Sequence, residues 1–170
     1  MFVQPTQPKV ILQKLRELVG AALNLEAGRV FLAPDPTMLG RLPPAADLFA
    51  AVVFGRVRFP DSPQHPGCWP AEMDLATYIY SRQAVDRPLD MTQLLTHEER
   101  GLLPLADTLL SALAGQELAQ EEPPGRLLRG PLLCSGFSPI QWGQAGNLVL
   151  AYLGLQWIAP FEYAILPKKQ

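Results

Sequence analysis

The residues with the most chemistry to offer are His65 and Cys68, an H-x-x-C pair inside the stretch PDSPQHPGCWP, and His97 and Cys134 are the only other imidazole and thiol. Such a set suggests zinc, which takes nitrogen and sulfur donors tetrahedrally and is usually held by two closely spaced pairs. Only one close pair exists here, and Pro63, Pro66 and Pro70 hold its segment extended. The sequence therefore predicts ordinary loop residues and no metal site. Nucleophilic catalysis needs a base beside the thiol and surroundings that favour the thiolate. Cys134 lies in an apolar run, where an inert thiol is the usual outcome. The prolines direct Cys68 and His65 apart, and the carboxylates are scattered along the chain. None of the motifs G-x-x-x-x-G-K-[ST], G-x-G-x-x-G or G-x-S-x-G occurs. The expectation is a protein without catalytic residues or cofactor.

A second group of residues suits recognition. Trp69 and Trp142 are flanked by proline and glycine, and Trp157, Phe161 and Tyr163 cluster near the C-terminal end. Tryptophan and tyrosine are enriched in the energetic centres of interfaces. Trp157 reads equally well as a core plug. Arg56 with Arg58, and Arg126 with Arg129, are local cationic pairs whose simplest reading is a solvated strand face. The candidate interface residues are thus Arg56, Arg58, Trp69, Arg126, Arg129, Trp142, Phe161 and Tyr163.

Composition narrows the class. At 170 residues the chain fits one domain with a sizeable core. Hydrophobic residues make up 48% and charged ones 18%, and mean hydropathy is +0.09, a surplus that suggests oligomerisation. A formal charge of −2 argues against a general nucleic-acid binder, which depends on clustered cations. No apolar run reaches the ~18–20 residues of a membrane-spanning helix, and no signal peptide is expected. Two cysteines are too few for a disulfide framework, so a reducing interior such as a bacterial cytoplasm is the expected place of synthesis.

The elements that must position these residues centre on Asp47–Ser81. Leu48–Phe59 and Met73–Tyr80 alternate with the period of two expected of strands. In the first, Phe49, Ala51, Val53, Val57 and Phe59 are expected on one face, and Ala50, Val52, Arg56 and Arg58 on the other. An extended loop, Pro60–Pro70, joins the two. Upstream lie an arm over residues 1–9, an amphipathic helix over Val10–Ala22, a short strand over Arg29–Ala33 and a loop from Pro34 to Pro44. Downstream, RQAVDRPLDMTQ reads as irregular, Thr96–Glu99 as a capping box, and residues 104–114 as a helix. Gln116–Gly125 is acidic and expected to be mobile, Arg126–Ser135 is strand-like, and SGFSPIQWGQAGN is rich in turn residues. Leu148–Ile158 is apolar on both faces, which places it in the middle of the sheet. The fold class is therefore α/β (α+β), a mixed, mostly antiparallel sheet of about five strands packed with two main helices in a single domain.

That order of elements resembles the tail terminator proteins of long-tailed bacteriophages and related contractile injection machines. The likeness runs from QKLRELVGAAL and RVFLA through DLFAAVVFGRVRF, EMDLATYIYSR and LPLADTLLSALAG to GRLLRGPLLCS and NLVLAYLGLQWIA. It covers about residues 8–160 and rests on pattern, with no signature motif. The Pro60–Pro70 loop and the apolar C-terminal tail depart from it. The resemblance implies a hexameric ring in the virion, at the tail–neck junction. That ring would sit on the last tube-protein ring, stop tube growth and face the head connector, with sheath as a further neighbour. DNA would pass its bore without specific binding. A neck, head-completion or tube protein, a dimeric α/β binding module and a thiol enzyme are the competing readings. Terminal arms are expected to reach neighbouring subunits, and removal of Pro160–Gln170 is expected to weaken association more than folding.

Overall fold

The structure, a computed structural model, describes residues 3–41, 45–60, 68–120 and 124–164. Helix α1 (Pro8–Ala22) begins on a proline, whose missing N–H costs nothing in a first turn. Its apolar stripe, Ile11, Leu15 and Val19, is fully buried. Arg16 ties the helix to the chain that follows, donating to the carbonyls of Val30 (2.7 Å) and Ala27 (2.8 Å). Strand β1 (Val30–Ala33) leads to the short helix α2 (Pro36–Arg41). Then come β2 (Leu48–Arg58), β3 (Cys68–Ala84), α3 (Pro88–Thr96) and α4 (Leu102–Leu113). A small ribbon, β4 (Ala119–Gln120) with β5 (Gly125–Arg126), precedes β6 (Leu133–Phe137), β7 (Gln141–Ala145) and β8 (Leu148–Ala164).

Six strands form one sheet in the order β1-β2-β3-β8-β6, and β7 pairs β8 on the same side as β6. Only β1 and β2 run parallel. The fold is thus α+β with a mostly antiparallel sheet. Its axis is the β3–β8 ladder, which stays in register from Cys68↔Ala164 to Ala84↔Leu148. Leu148–Ile158 lies between β3 on one side and β6 with β7 on the other, as its two apolar faces predict. One face of the sheet packs against α1, α3 and α4, with Ala50, Val52, Met73, Leu75, Leu153, Leu155 and Trp157 in that core. The opposite face carries a smaller cluster built on Phe49, Ala51, Val53, Tyr80, Leu150 and Tyr152, against which Leu39 of α2 packs.

Gly55 changes the expected faces of β2. The register slips between Phe54 and Arg56, a bulge that reverses the alternation beyond it. Val57 therefore turns to the helix-covered core with Ala50 and Val52, while Arg56 and Arg58 pair with Asp74 on the other face. Strict alternation puts those residues the opposite way round. A Cβ at Gly55 would sit 2.7 Å from the Asp74 carbonyl oxygen, so the bulge requires glycine.

Other expectations are corrected too. The Pro34–Pro44 loop contains α2, and RQAVDRPLDMTQ contains the end of β3 and the start of α3. The reason is local: Asp90 accepts from the backbone N–H groups of Asp86 (3.0 Å) and Arg87 (2.9 Å), capping α3. Thr96 instead closes α3, its hydroxyl donating to the Thr92 carbonyl at 2.8 Å, so it does not open a capping box. The turn-rich segment forms β7, because β8 offers it a free ladder. The expected mobility of 116–125 bears partly on residues 121–123, which fall outside the described residues.

The described residues near both ends behave differently from free arms. Thr6 exchanges backbone hydrogen bonds with the end of β8, its N–H reaching Glu162 at 2.8 Å and its carbonyl accepting from Ala164 at 3.0 Å. The described part of the N-terminal arm is therefore stitched to its own sheet. Pro160–Ala164 belongs to β8, and Phe161 is fully buried. Deleting Pro160–Gln170 is accordingly expected to damage folding first. Loss of one buried phenylalanine alone costs about 3–5 kcal/mol, and urea unfolding of the truncated chain would read it. An unchanged midpoint would contradict the placement of Phe161.

Candidate functional site: the second sheet face and its outer edge

The face away from the main helices is organised by aromatic rings. Phe49 stacks on Tyr80 at 4.7 Å between centroids, and Tyr80 on Tyr152 at 5.0 Å. The ring of Tyr78 lies over Gly154, where a Cβ would meet it at 2.5 Å. Pairs of this kind contribute ~0.5–1.5 kcal/mol each beyond burial. Tyr80 donates to the Pro36 carbonyl at 2.7 Å, which pins α2 over the cluster.

Burial pushes the Tyr80 phenol far above its ordinary value, with the neighbouring Tyr152 and Tyr78 adding to the shift. Burial likewise raises Tyr78 and Tyr152. A phenol whose folded pKa lies above its unfolded value of about 10 favours the fold only while protonated. Stability is therefore expected to be level through neutral pH and to fall as pH rises past about 10. Tyr80→Phe should flatten that alkaline loss while costing ~1 kcal/mol at neutral pH through its hydrogen bond. Urea midpoints at neutral and alkaline pH check this, and equal alkaline losses in both proteins would contradict it.

Beyond this cluster the face is polar. Arg56 Nε meets Asp74 Oδ2 at 2.7 Å, and Arg58 Nη2 meets Asp74 Oδ1 at 2.8 Å and Glu72 Oε2 at 3.3 Å. Partial burial alone would raise the Asp74 carboxyl, but the bonds from Arg56 and Arg58 outweigh it and hold the group below the usual carboxylate range. At the end where β8 finishes, Arg126 Nη1 meets Glu117 at 2.8 Å and Arg129 Nε meets Glu162 at 3.1 Å. All four arginines singled out from sequence are thus engaged within the chain.

The aromatic candidates divide. Trp69 and Tyr163 are directly opposite on β3 and β8, and Phe59 lies edge-on to both at 5.4 and 5.5 Å. Phe161 is a core residue and unavailable to a partner, which corrects its place among the candidates. Trp157 is buried and donates to Thr77 Oγ1 at 2.9 Å. Trp142 is 61% exposed on β7. It pairs with Ala151, whereas Trp69 pairs with Tyr163. Those two positions are twelve residue steps apart along β8, roughly 40 Å at the usual rise. The eight candidates therefore do not form one site.

What sequence reasoning missed is the outer edge. Every residue of β7 is exposed, and Leu133, Phe137, Ile140 and Leu148 add large exposed apolar side chains around it. A signal was available, because no charged residue or histidine occurs between Arg129 and Glu162. Natural sheets usually blunt an open edge with lysine, proline or inward charge. Here β7 carries none of these. The opposite edge, β1, exposes Leu32 at 45%.

Of the residues weighed as metal ligands, His65 lies outside the described residues. Among the described residues no three metal-ligating side chains converge. Cys68 and Cys134 are both free thiols of intermediate exposure, on β3 and β6. No described helix is long and apolar enough to cross a membrane.

No protein-family model matches this chain, and no curated protein does. Among solved structures it is similar to a chain from the virion of a native gene transfer agent particle, at 18% identity and a TM-score of 0.46, covering 88% of this chain and 90% of that one. A superposition this loose assigns no function.

Proposed function

We propose that this chain is a structural virion protein of the tail-terminator type, which works by shape and carries out no catalysis. In this reading identical copies associate side by side through their sheets into a closed ring. The ring sits at the tail–neck junction, caps the tail tube, stops its polymerisation and offers a joining surface to the connector. The observation that carries the proposal is the uncharged, fully exposed β7 edge, flanked by Leu133, Phe137 and Ile140. An edge of that kind is a template for another strand. Pairing it with the different edge at β1 makes a head-to-tail contact, which gives a ring when the rotation closes. The order of elements, which resembles terminators, supports the same reading. So does the slightly acidic balance, since a bore that attracts phosphate would hold DNA in place.

Placing lysines on β7, as Trp142→Lys with Gln144→Lys, is expected to release monomers whose unfolding midpoint stays within ~0.5 kcal/mol of the parent, because both side chains are exposed. Light scattering with urea unfolding checks both halves, and intact rings in the double variant would contradict the role of the edge. The function itself is tested by adding the purified protein to polymerising tail-tube protein. Arrested tubes with a ring at one end are expected. Tubes of unchanged length would sink the terminator reading, and incorporation along the tube would favour a tube protein instead.

A further inference from the structure

Most described arginines find a partner within the chain, and the exceptions gather in one place. Arg29, Arg41 and Arg100 form no salt bridge and donate no side-chain hydrogen bond to a described residue. Arg41 acts on Asp35 only electrostatically, as the least of the influences on that carboxyl. Arg82 meets Asp47 at 3.9 Å, and the Asp47 side chain is 89% exposed. These four arginines line two depressions at the end of the sheet where β8 begins.

One depression, of about 520 Å³, lies between α2 and the backbone of β7, with Arg41 and Arg82 beside Leu148, Leu150 and Tyr152. The other, of about 710 Å³, holds Arg29, Arg82 and Arg100 with Asp47 and Glu99. Both share Arg82 and Leu148, so they form a continuous surface. Four guanidiniums against two carboxylates leave it cationic, on a chain whose formal charge is −2.

The geometry points to a docking surface here for a protein segment that combines carboxylates with a large apolar side chain. The carboxylates would face Arg29, Arg41 and Arg100, planar donors that match a carboxylate fork. The apolar side chain would lie on Leu148, which is 46% exposed and lines both depressions. Charge complementarity selects the acidic half of that partner, and exposed Leu148 between the arginines selects the apolar half. A nucleic acid fits less well, because Asp47 and Glu99 would meet its phosphates. The proposal does not depend on ring assembly.

The test uses the full chain and a synthetic peptide with one phenylalanine and one leucine flanked by glutamates, titrated calorimetrically at low and physiological salt. Saturable binding is expected, weakened roughly tenfold in Arg41→Gln/Arg100→Gln and again in Leu148→Ala. Arg56→Gln/Arg58→Gln, at the other end of the sheet, should leave it unchanged. Circular dichroism establishes that each variant is folded. No saturable binding at low salt would overturn the proposal, as would equal weakening by the control pair. Tighter binding of a single-stranded oligonucleotide of matched length would overturn the class of partner. Self-association lost in Arg41→Gln/Arg100→Gln, without peptide binding, would make the occupant a second copy and overturn it as stated.

Discussion

Trp157→Ala is expected to destabilise the protein by about 4 kcal/mol, within the range measured for truncating a buried tryptophan. The side chain is 1% exposed at the centre of β8, where its strand is paired on both sides, opposite Leu75 of β3 and Cys134 of β6. Two losses combine. The cavity opens in the main core, between the sheet and the helices. The Thr77 hydroxyl, in a fully buried residue, loses the indole N–H as its donor. Against a typical total stability of ~5–15 kcal/mol this is a large fraction. Urea unfolding measures it, with Trp142→Ala as the comparison. That residue is exposed on β7, so its change should remain within ~0.5 kcal/mol. Equal effects at the two tryptophans would mean that β8 does not lie where the sheet places it.

Gly55→Val is the second large effect, at about 3 kcal/mol, the upper part of the range for forcing an added side chain into a filled space. The obstacle is backbone, the Asp74 carbonyl oxygen 2.7 Å from the new Cβ, so no side-chain rotation relieves it. The strand must shift or the bulge must be lost. Losing it returns Arg56 and Arg58 to the helix-covered side, where their pairs with Asp74 cannot form. Gly143→Ala in β7 is the control, since nothing lies within 4 Å of a Cβ there. Gly55→Val unfolding at the parent's midpoint would show that the bulge is not required.

The long elements were legible because their side chains repeat with one period throughout. Val149, Ala151, Leu153, Leu155 and Trp157 alternate along β8 and all enter one core. The stripe Ile11, Leu15 and Val19 marks α1 just as directly. Legibility failed where partners decide the outcome. β3 extends well beyond Met73–Tyr80 because β8 supplies a partner for its whole length. Pro70 is tolerated there since β2 ends at Arg58↔Glu72, which leaves β3 without a neighbour on that side. β7 reads as turns because it contains Gly143 and is flanked by Pro139 and Gly146, and only pairing with β8 makes it a strand. The bulge at Gly55 has no periodic signature, so the faces of Val57, Arg56 and Arg58 came out reversed.

The candidate site was legible in parts. Exposure of Trp142 follows from its glycine neighbour and open edge, whereas burial of Phe161 follows from β8 continuing past Pro160. The cationic end of the sheet escaped notice because Arg29, Arg41, Arg82 and Arg100 are far apart in sequence and meet only in the fold. Arg56 and Arg58, by contrast, are close in sequence and are neutralised in the fold by Asp74 and Glu72.

Sedimentation velocity of the purified 170-residue chain across a wide concentration range tests the central claim most directly. A single closed species at six times the mass of the 18.7 kDa chain, persisting on dilution, is the predicted result. A monomer at every concentration, or a dimer that grows no further, would contradict it.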